Sequence, residues 1–122
     1  MRWMLRSKLH KATVTDADLR YEGSITIDED LIDAVGLSVG EKVLVASNSS
    51  GSRLETYVIA GERGSGVICM NGAASILIKK GEEIVIMGFE LSSGSVVPKS
   101  VLLGPGNKVL RWLEKGPTEK EK

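Results

Sequence analysis

Few residues of this chain belong to types that do chemistry unaided. It holds one histidine, His10, and one cysteine, Cys69. One of each cannot build a Cys/His zinc site or an intrachain disulfide, so no metal site is expected. His10 reads as a general base or as a packing or surface histidine, and the second is the commoner role. Cys69 lies in an apolar stretch and reads as a small buried hydrophobe. There is no Gly-x-Ser-x-Gly elbow, no phosphate-cradling glycine loop and no His-Glu-x-x-His pair. What stands out is a Gly-Ser pair in Tyr21-Glu22-Gly23-Ser24, at the entrance to the alternating run Ile25-Thr26-Ile27-Asp28. Taken alone, that pair reads as a turn before a strand.

The elements that would position these residues are short strands. Residues 11–15 and 24–28 alternate in polarity, and residues 42–46, 54–60, 66–70 and 83–89 are rich in Val and Ile. Both are strand signals. Gly51, Gly61, Gly64, Gly81 and Gly94 punctuate them. One helix is expected, opened by Asp28 or Glu29, striped by Leu31, Ile32 and Val35, and closed by Gly36. A shorter helical turn is expected over residues 72–75, with Asn71 as its cap. Residues 100–103 and 108–113 flank Gly104-Pro105-Gly106-Asn107 and read as a hairpin, with a short helix over residues 108–115 as the alternative. Many short strands with one or two short helices predict a small mainly-β barrel.

With 122 residues there is room for one domain. It is placed over residues 1–115, and the charged, Pro-containing stretch 116–122 is expected to be disordered. Sixteen basic and sixteen acidic residues cancel, which argues against nucleic acid as a partner. Aromatic residues are only 4% of the chain, so Val, Ile and Leu must build the core. Such a small core is marginal alone, and an oligomer would be unsurprising. No stretch is long and apolar enough to span a membrane, and residues 1–10 lack the apolar run of a signal peptide. A cytoplasmic location is the default expectation.

Longer strings carry more information than the Gly-Ser pair. Met4-Leu5-Arg6-Ser7-Lys8-Leu9-His10, Val14-Thr15-Asp16-Ala17-Asp18-Leu19 and Tyr21-Glu22-Gly23-Ser24 closely resemble the start of the pyruvoyl-dependent aspartate 1-decarboxylases. In order and at matching spacing follow Arg53-Leu54-Glu55-Thr56-Tyr57, Glu62-Arg63-Gly64-Ser65, Asn71-Gly72-Ala73-Ala74 and Gly81-Glu82-Glu83-Ile84-Val85-Ile86. The likeness covers residues 4–89 and continues weakly through 98–109. Asp16 stands where the family commonly has His, and Ile25 where it often has Cys.

The resemblance implies a double-psi β-barrel and a homotetramer with active sites at subunit boundaries. It implies self-cleavage between Gly23 and Ser24, assisted by Thr56, into a β chain of residues 1–23 and an α chain of residues 24–122. Ser24 would become a covalent pyruvoyl group. Its ketone would form a Schiff base with L-aspartate and act as the electron sink for decarboxylation to β-alanine and carbon dioxide, feeding pantothenate and coenzyme A synthesis. By the same resemblance Tyr57 is the proton donor, as a phenol keeps its proton at neutral pH. Arg53 and Lys8 are associated with the substrate carboxylates, which suits a planar fork and a point charge. Thr56 lines the site. Backbone N–H groups of Gly72, Ala73 and Ala74 would hold a carboxylate or an oxyanion. Asn71 would orient that loop or cap a helix, and Tyr21 and His10 are possible supports. A maturation factor is a further possible partner. Two rival readings remain: pyruvoyl chemistry on another small acidic amino acid, and a non-catalytic β-barrel binding module.

Overall fold

The computed structural model describes residues 1–113. The stretch 116–122 lies outside them, so the expectation of disorder there is neither met nor broken. The strands are β1 (Arg2–Thr13), β2 (Asp16–Asp18), β3 (Ser24–Asp28), β4 (Lys42–Ser47), β5 (Arg53–Gly61), β6 (Ile68–Asn71), β7 (Glu83–Ser92), β8 (Lys99–Leu103) and β9 (Val109–Leu113). Two short helices, α1 (Glu29–Val35) and α2 (Ala74–Leu77), lie between them. Among the described residues the strands form one sheet in the order β2-β6-β3-β5-β4-β7-β1-β8-β9. The pairs β1–β8, β3–β5 and β2–β6 are parallel and the others antiparallel. Parallel partners from distant stretches of chain give the interlocked mainly-β architecture expected.

The sheet curls around one core. Leu9, Ile25, Ile27, Val58, Ile68 and Ile86 are fully buried in it. Alternation puts these residues on one face of their strands. The sheet closes where the chain leaving β1 reaches β6, with the Thr15 N–H bonded to the Ile68 carbonyl at 2.8 Å. Asn107 ties the same region together. It donates to the carbonyls of Thr13 (2.9 Å) and Gly66 (2.7 Å) and accepts from the Thr13 N–H at 2.8 Å.

Helix α1 forms as its sequence predicts. Asp28 accepts from the Asp30 N–H, Leu31, Ile32 and Val35 are buried, and Gly36 closes the helix in the left-handed region at φ 73°. The β8–β9 hairpin forms too, around a 3-10 turn at Pro105–Asn107, so the helix alternative for 108–113 is set aside. Three expectations change. Strand β1 starts at Arg2 rather than residue 11, and its register slips between Leu5 and Ser7 and between Leu9 and Ala12, with Lys11 at φ 61°. Those irregularities break the period that would have revealed it. Strand β2 carries no apolar alternation and exists because it pairs with β6. Helix α2 begins at Ala74 rather than 72 and has no side-chain cap, because the Asn71 side chain is engaged elsewhere. No helix among the described residues is long and apolar enough to cross a membrane.

Candidate active site

The first residue of β3 is Ser24, and it is 1% exposed. Its partner in the antiparallel ladder is Asn71, the last residue of β6, while Thr26 faces Cys69. Alternation puts these four side chains on the face turned away from the core. One Asn71 Nδ2 hydrogen goes to Ser24 Oγ at 2.8 Å and the other to Thr26 Oγ1 at 2.9 Å. The Cys69 thiol donates to Asn71 Oδ1 at 3.3 Å. Ser24 Oγ–H points to the Glu22 carbonyl at 3.4 Å, a weak contact. Asn71 is therefore a side-chain clamp on the serine, not a helix cap. Cys69 is half-buried and hydrogen-bonded, so the reading of it as an inert core hydrophobe does not hold.

The loop before Ser24 is pinned by one carbonyl. Asp18 O accepts from the N–H groups of Tyr21 (3.4 Å) and Gly72 (2.8 Å). Asp18 Oδ1 also accepts from the Arg20 N–H at 3.0 Å. Gly72, at φ 66°, presses on the backbone before Ser24: a Cβ there would meet Gly23 Cα and N at 2.8 Å. Glycine is needed at 72 for both reasons. At Gly23 a Cβ would meet nothing within 4 Å, and φ is not in the left-handed region. The left-handed backbone in this loop belongs to Gly72 and not to Gly23. Because Asp18 holds the Gly72 N–H, the expected set of loop N–H donors narrows to Ala73 and Ala74, at the start of α2. Tyr21 is exposed in the loop.

Strand β5 runs parallel to β3 with Ile25 opposite Val58. Continuing that register puts Tyr57 level with Ser24 and on the same face, and Thr56 level with Gly23 on the core-side face. Tyr57 is 42% exposed and open to a ligand. Arg53 shares Tyr57's face but lies four residues before it on β5, about 13 Å along a strand. Lys8 lies on β1, and a rung runs from it through Met87 and Leu44 to Glu55. That is three strand spacings from β5, about 14 Å along the sheet. The structure thus brings Ser24, Gly23, Thr56, Tyr57, Asn71 and Gly72 together and leaves Arg53 and Lys8 apart from them within one chain. His10 is also on β1, opposite Leu102, with its Nδ1 buried and without a hydrogen bond. Burial, then Lys8 and Lys11, lower its pKa. It does not sit beside Ser24 in the sheet order.

Sequence reading missed Asp18, Thr26 and the role of Cys69. Their signal is two alternating triplets, Ser-x-Thr at 24–26 and Cys-x-Asn at 69–71. It becomes visible only once β3 and β6 are known to pair.

The family model described as aspartate decarboxylase matches residues 1–110. The aspartate 1-decarboxylase of Bacillus cytotoxicus is 53% identical over 124 residues, covering 97% of this chain and 98% of its own. That of Bacillus subtilis is 51% identical over 120 residues, covering 95% and 94%. Among solved structures, the computationally designed msDPBB_sym2 protein is 17% identical with a TM-score of 0.43, over 70% of this chain and 96% of its own.

Proposed function

The chain belongs to the aspartate decarboxylase family and decarboxylates L-aspartate, and we propose that it does so with a pyruvoyl group made from its own Ser24. One observation supports this above the rest: a buried serine hydroxyl follows an exposed glycine peptide, clamped by Asn71 and pressed on by Gly72. Ser24 Oγ attacks the Gly23 carbonyl carbon. The Gly23–Ser24 C–N bond breaks, and the hydroxyl proton passes to the freed amine, leaving an ester. Loss of the residue-24 α-proton with cleavage of Cβ–Oγ then releases the Gly23 carboxylate. Water hydrolyses the resulting enamine, through its imine form, with release of ammonia. Chains of residues 1–23 and 24–122 result.

The residues around Ser24 fit the group that this sequence leaves behind, since Asn71 and the Ala73–Ala74 backbone offer N–H donors. The pyruvoyl ketone supplies an electrophile for the substrate amine and withdraws electrons as carbon dioxide leaves. Tyr57, level with Ser24, returns a proton to the former α-carbon, giving β-alanine. Thr56, level with Gly23, steadies the scissile peptide. Family membership ties the product to pantothenate synthesis, and the reading places the protein in the cytoplasm.

Arg53 and Lys8 act on the site of a neighbouring copy in a homotetramer. The outer face of β1, β7, β4 and β5 supports this. It carries Lys8, leaves Trp3 69% exposed, and has a hollow of about 470 Å³ lined by Trp3, Lys42, Leu44, Glu55 and Phe89.

Denaturing mass spectrometry tests the reading. Two chains split between residues 23 and 24, the larger with a carbonyl-reactive N-terminus, are expected. A precursor that splits only after cell extract is added needs a helper protein, and one that never splits refutes the pyruvoyl reading. Mixing Lys8→Ala chains with Ser24→Ala chains before assembly is expected to restore part of the activity that each lacks. No restoration would return Lys8 to its own chain's site or remove it from the chemistry.

A further inference from the structure

Asn71 donates both of its N–H groups, to Ser24 Oγ at 2.8 Å and Thr26 Oγ1 at 2.9 Å. A carboxamide has two nearly isosteric ends, and its neighbours decide which end faces a serine. Thr26 and Ser24 are hydroxyls, able to give or take a hydrogen, so neither fixes the choice. The Cys69 thiol, 3.3 Å from Asn71 Oδ1, does. Burial raises the Cys69 pKa, and Asp16 and Asp18 raise it further against a backbone hydrogen bond at Asp18. The sulfur therefore keeps its proton at neutral pH and acts as a donor, which calls for oxygen on the facing end of the amide.

We propose that Cys69 is a positioning residue for self-cleavage: its S–H holds Asn71 Oδ1, so that the amide nitrogen faces Ser24 Oγ. The proposal rests on the Ser24 reading above and adds a residue which that reading does not use. Its effect falls on one step. In the elimination, the residue-24 Cβ–Oγ bond breaks, its electron pair goes to Oγ, the α-proton goes to a solvent base, and Oγ departs within the Gly23 carboxylate. An N–H aimed at Oγ stabilises the negative charge that develops there. A reversed amide would aim a lone pair at the same atom and oppose it. Losing the thiol donor therefore slows elimination and lets the ester accumulate.

The test follows freshly purified precursor by denaturing mass spectrometry, with and without hydroxylamine, which opens an ester at Gly23 to a hydroxamate on chain 1–23. Cys69→Ala is expected to split about tenfold more slowly, the usual cost of losing a group that orients a working one, and to yield more hydroxamate than wild type. Cys69→Ser, which keeps a donor, is expected to stay within about threefold of wild type. Cys69→Val, apolar and close in volume, provides a second route. It removes the thiol donor without opening a cavity and is expected to slow splitting with the same ester signature. Cys69→Ala splitting at the wild-type rate, or Cys69→Ser as slow as Cys69→Ala, would overturn the proposal. If Cys69→Ala does not fold, a Cys69→Val chain with unchanged rate and no added hydroxamate overturns it instead. A wild-type chain that neither splits nor yields hydroxamate refutes the Ser24 reading itself, a result distinct from either.

Discussion

The two ends of β3 each bury a polar side chain on the same face of the strand, Ser24 at 1% and Asp28 at 3% exposure. They are held in opposite ways. Asp28 accepts three backbone N–H bonds, from Asp30 (2.8 Å), Gly64 (3.1 Å) and Gly66 (2.8 Å). Burial alone would raise its pKa, but these donors, with Lys108 nearby, outweigh it and hold the carboxyl below its ordinary value. Ser24 has one good bond, from a side chain, and one long contact to a carbonyl. Backbone donors cannot withdraw without unfolding the helix start and the β5–β6 loop, so Asp28 is a fixed joint. A hydroxyl oriented by one amide and otherwise undersatisfied is aimed yet free to react. Burial is common to both ends; the completeness of hydrogen bonding separates structure from chemistry.

That contrast can be broken most sharply at Ser24. Ser24→Ala should abolish splitting and decarboxylation together while keeping the urea midpoint of freshly purified, unsplit wild-type precursor, and a gel that still shows two chains would end it. Tyr57→Phe should leave the cut intact and lower kcat by about a hundredfold, the ordinary share of a general acid; steady-state rates on fully split protein decide this. Gly72→Ala forces a Cβ to 2.8 Å from Gly23 Cα. The displaced peptide should split about tenfold more slowly, as small misplacements of reacting groups do. Asp28→Ala should do the reverse of Ser24→Ala, costing about 1–3 kcal/mol of stability with splitting preserved at low denaturant.

A milder form sharpens the same point. The folded pKa of Asp28 is depressed, so its stabilisation is present above the unfolded value of 3.8 and fades as pH falls through the lower folded value. Urea midpoints of wild type and Asp28→Asn should therefore converge below about pH 4 and stay apart at neutral pH.

Local chemistry was legible in the sequence, and cross-strand chemistry was not. Asp28, the Leu31-Ile32-Val35 stripe and Gly36 announce α1 because a helix is decided within a few residues. The hairpin at Gly104–Asn107 is announced by its turn for the same reason. Ser24, Thr56, Tyr57 and Asn71 came from a resemblance, and their placement relative to one another came from register. Asn71 was open to reading as a cap because nothing within residues 68–75 shows that β3 lies opposite. Cys69 looked inert because its acceptor, the Asn71 side chain, is engaged with residues 24 and 26, distant in sequence. Strand β1 was read only at its end, since its bulges hide the period.

Strand β1 lies between β7 and β8, in register with both, and it belongs wholly to residues 1–23. If the chain is cut as proposed, the short piece would remain an interior stave of the barrel and could not leave without dismantling it. Folding of the precursor is a first-order event, but refolding of the split protein needs two chains to meet, as in fragment complementation. Maturation would thus act as a ratchet: denatured precursor recovers at any dilution, whereas the denatured mature form recovers only at a rate set by concentration. A protein of this kind is shaped once, as one chain, and afterwards keeps a form that its separate pieces find slowly.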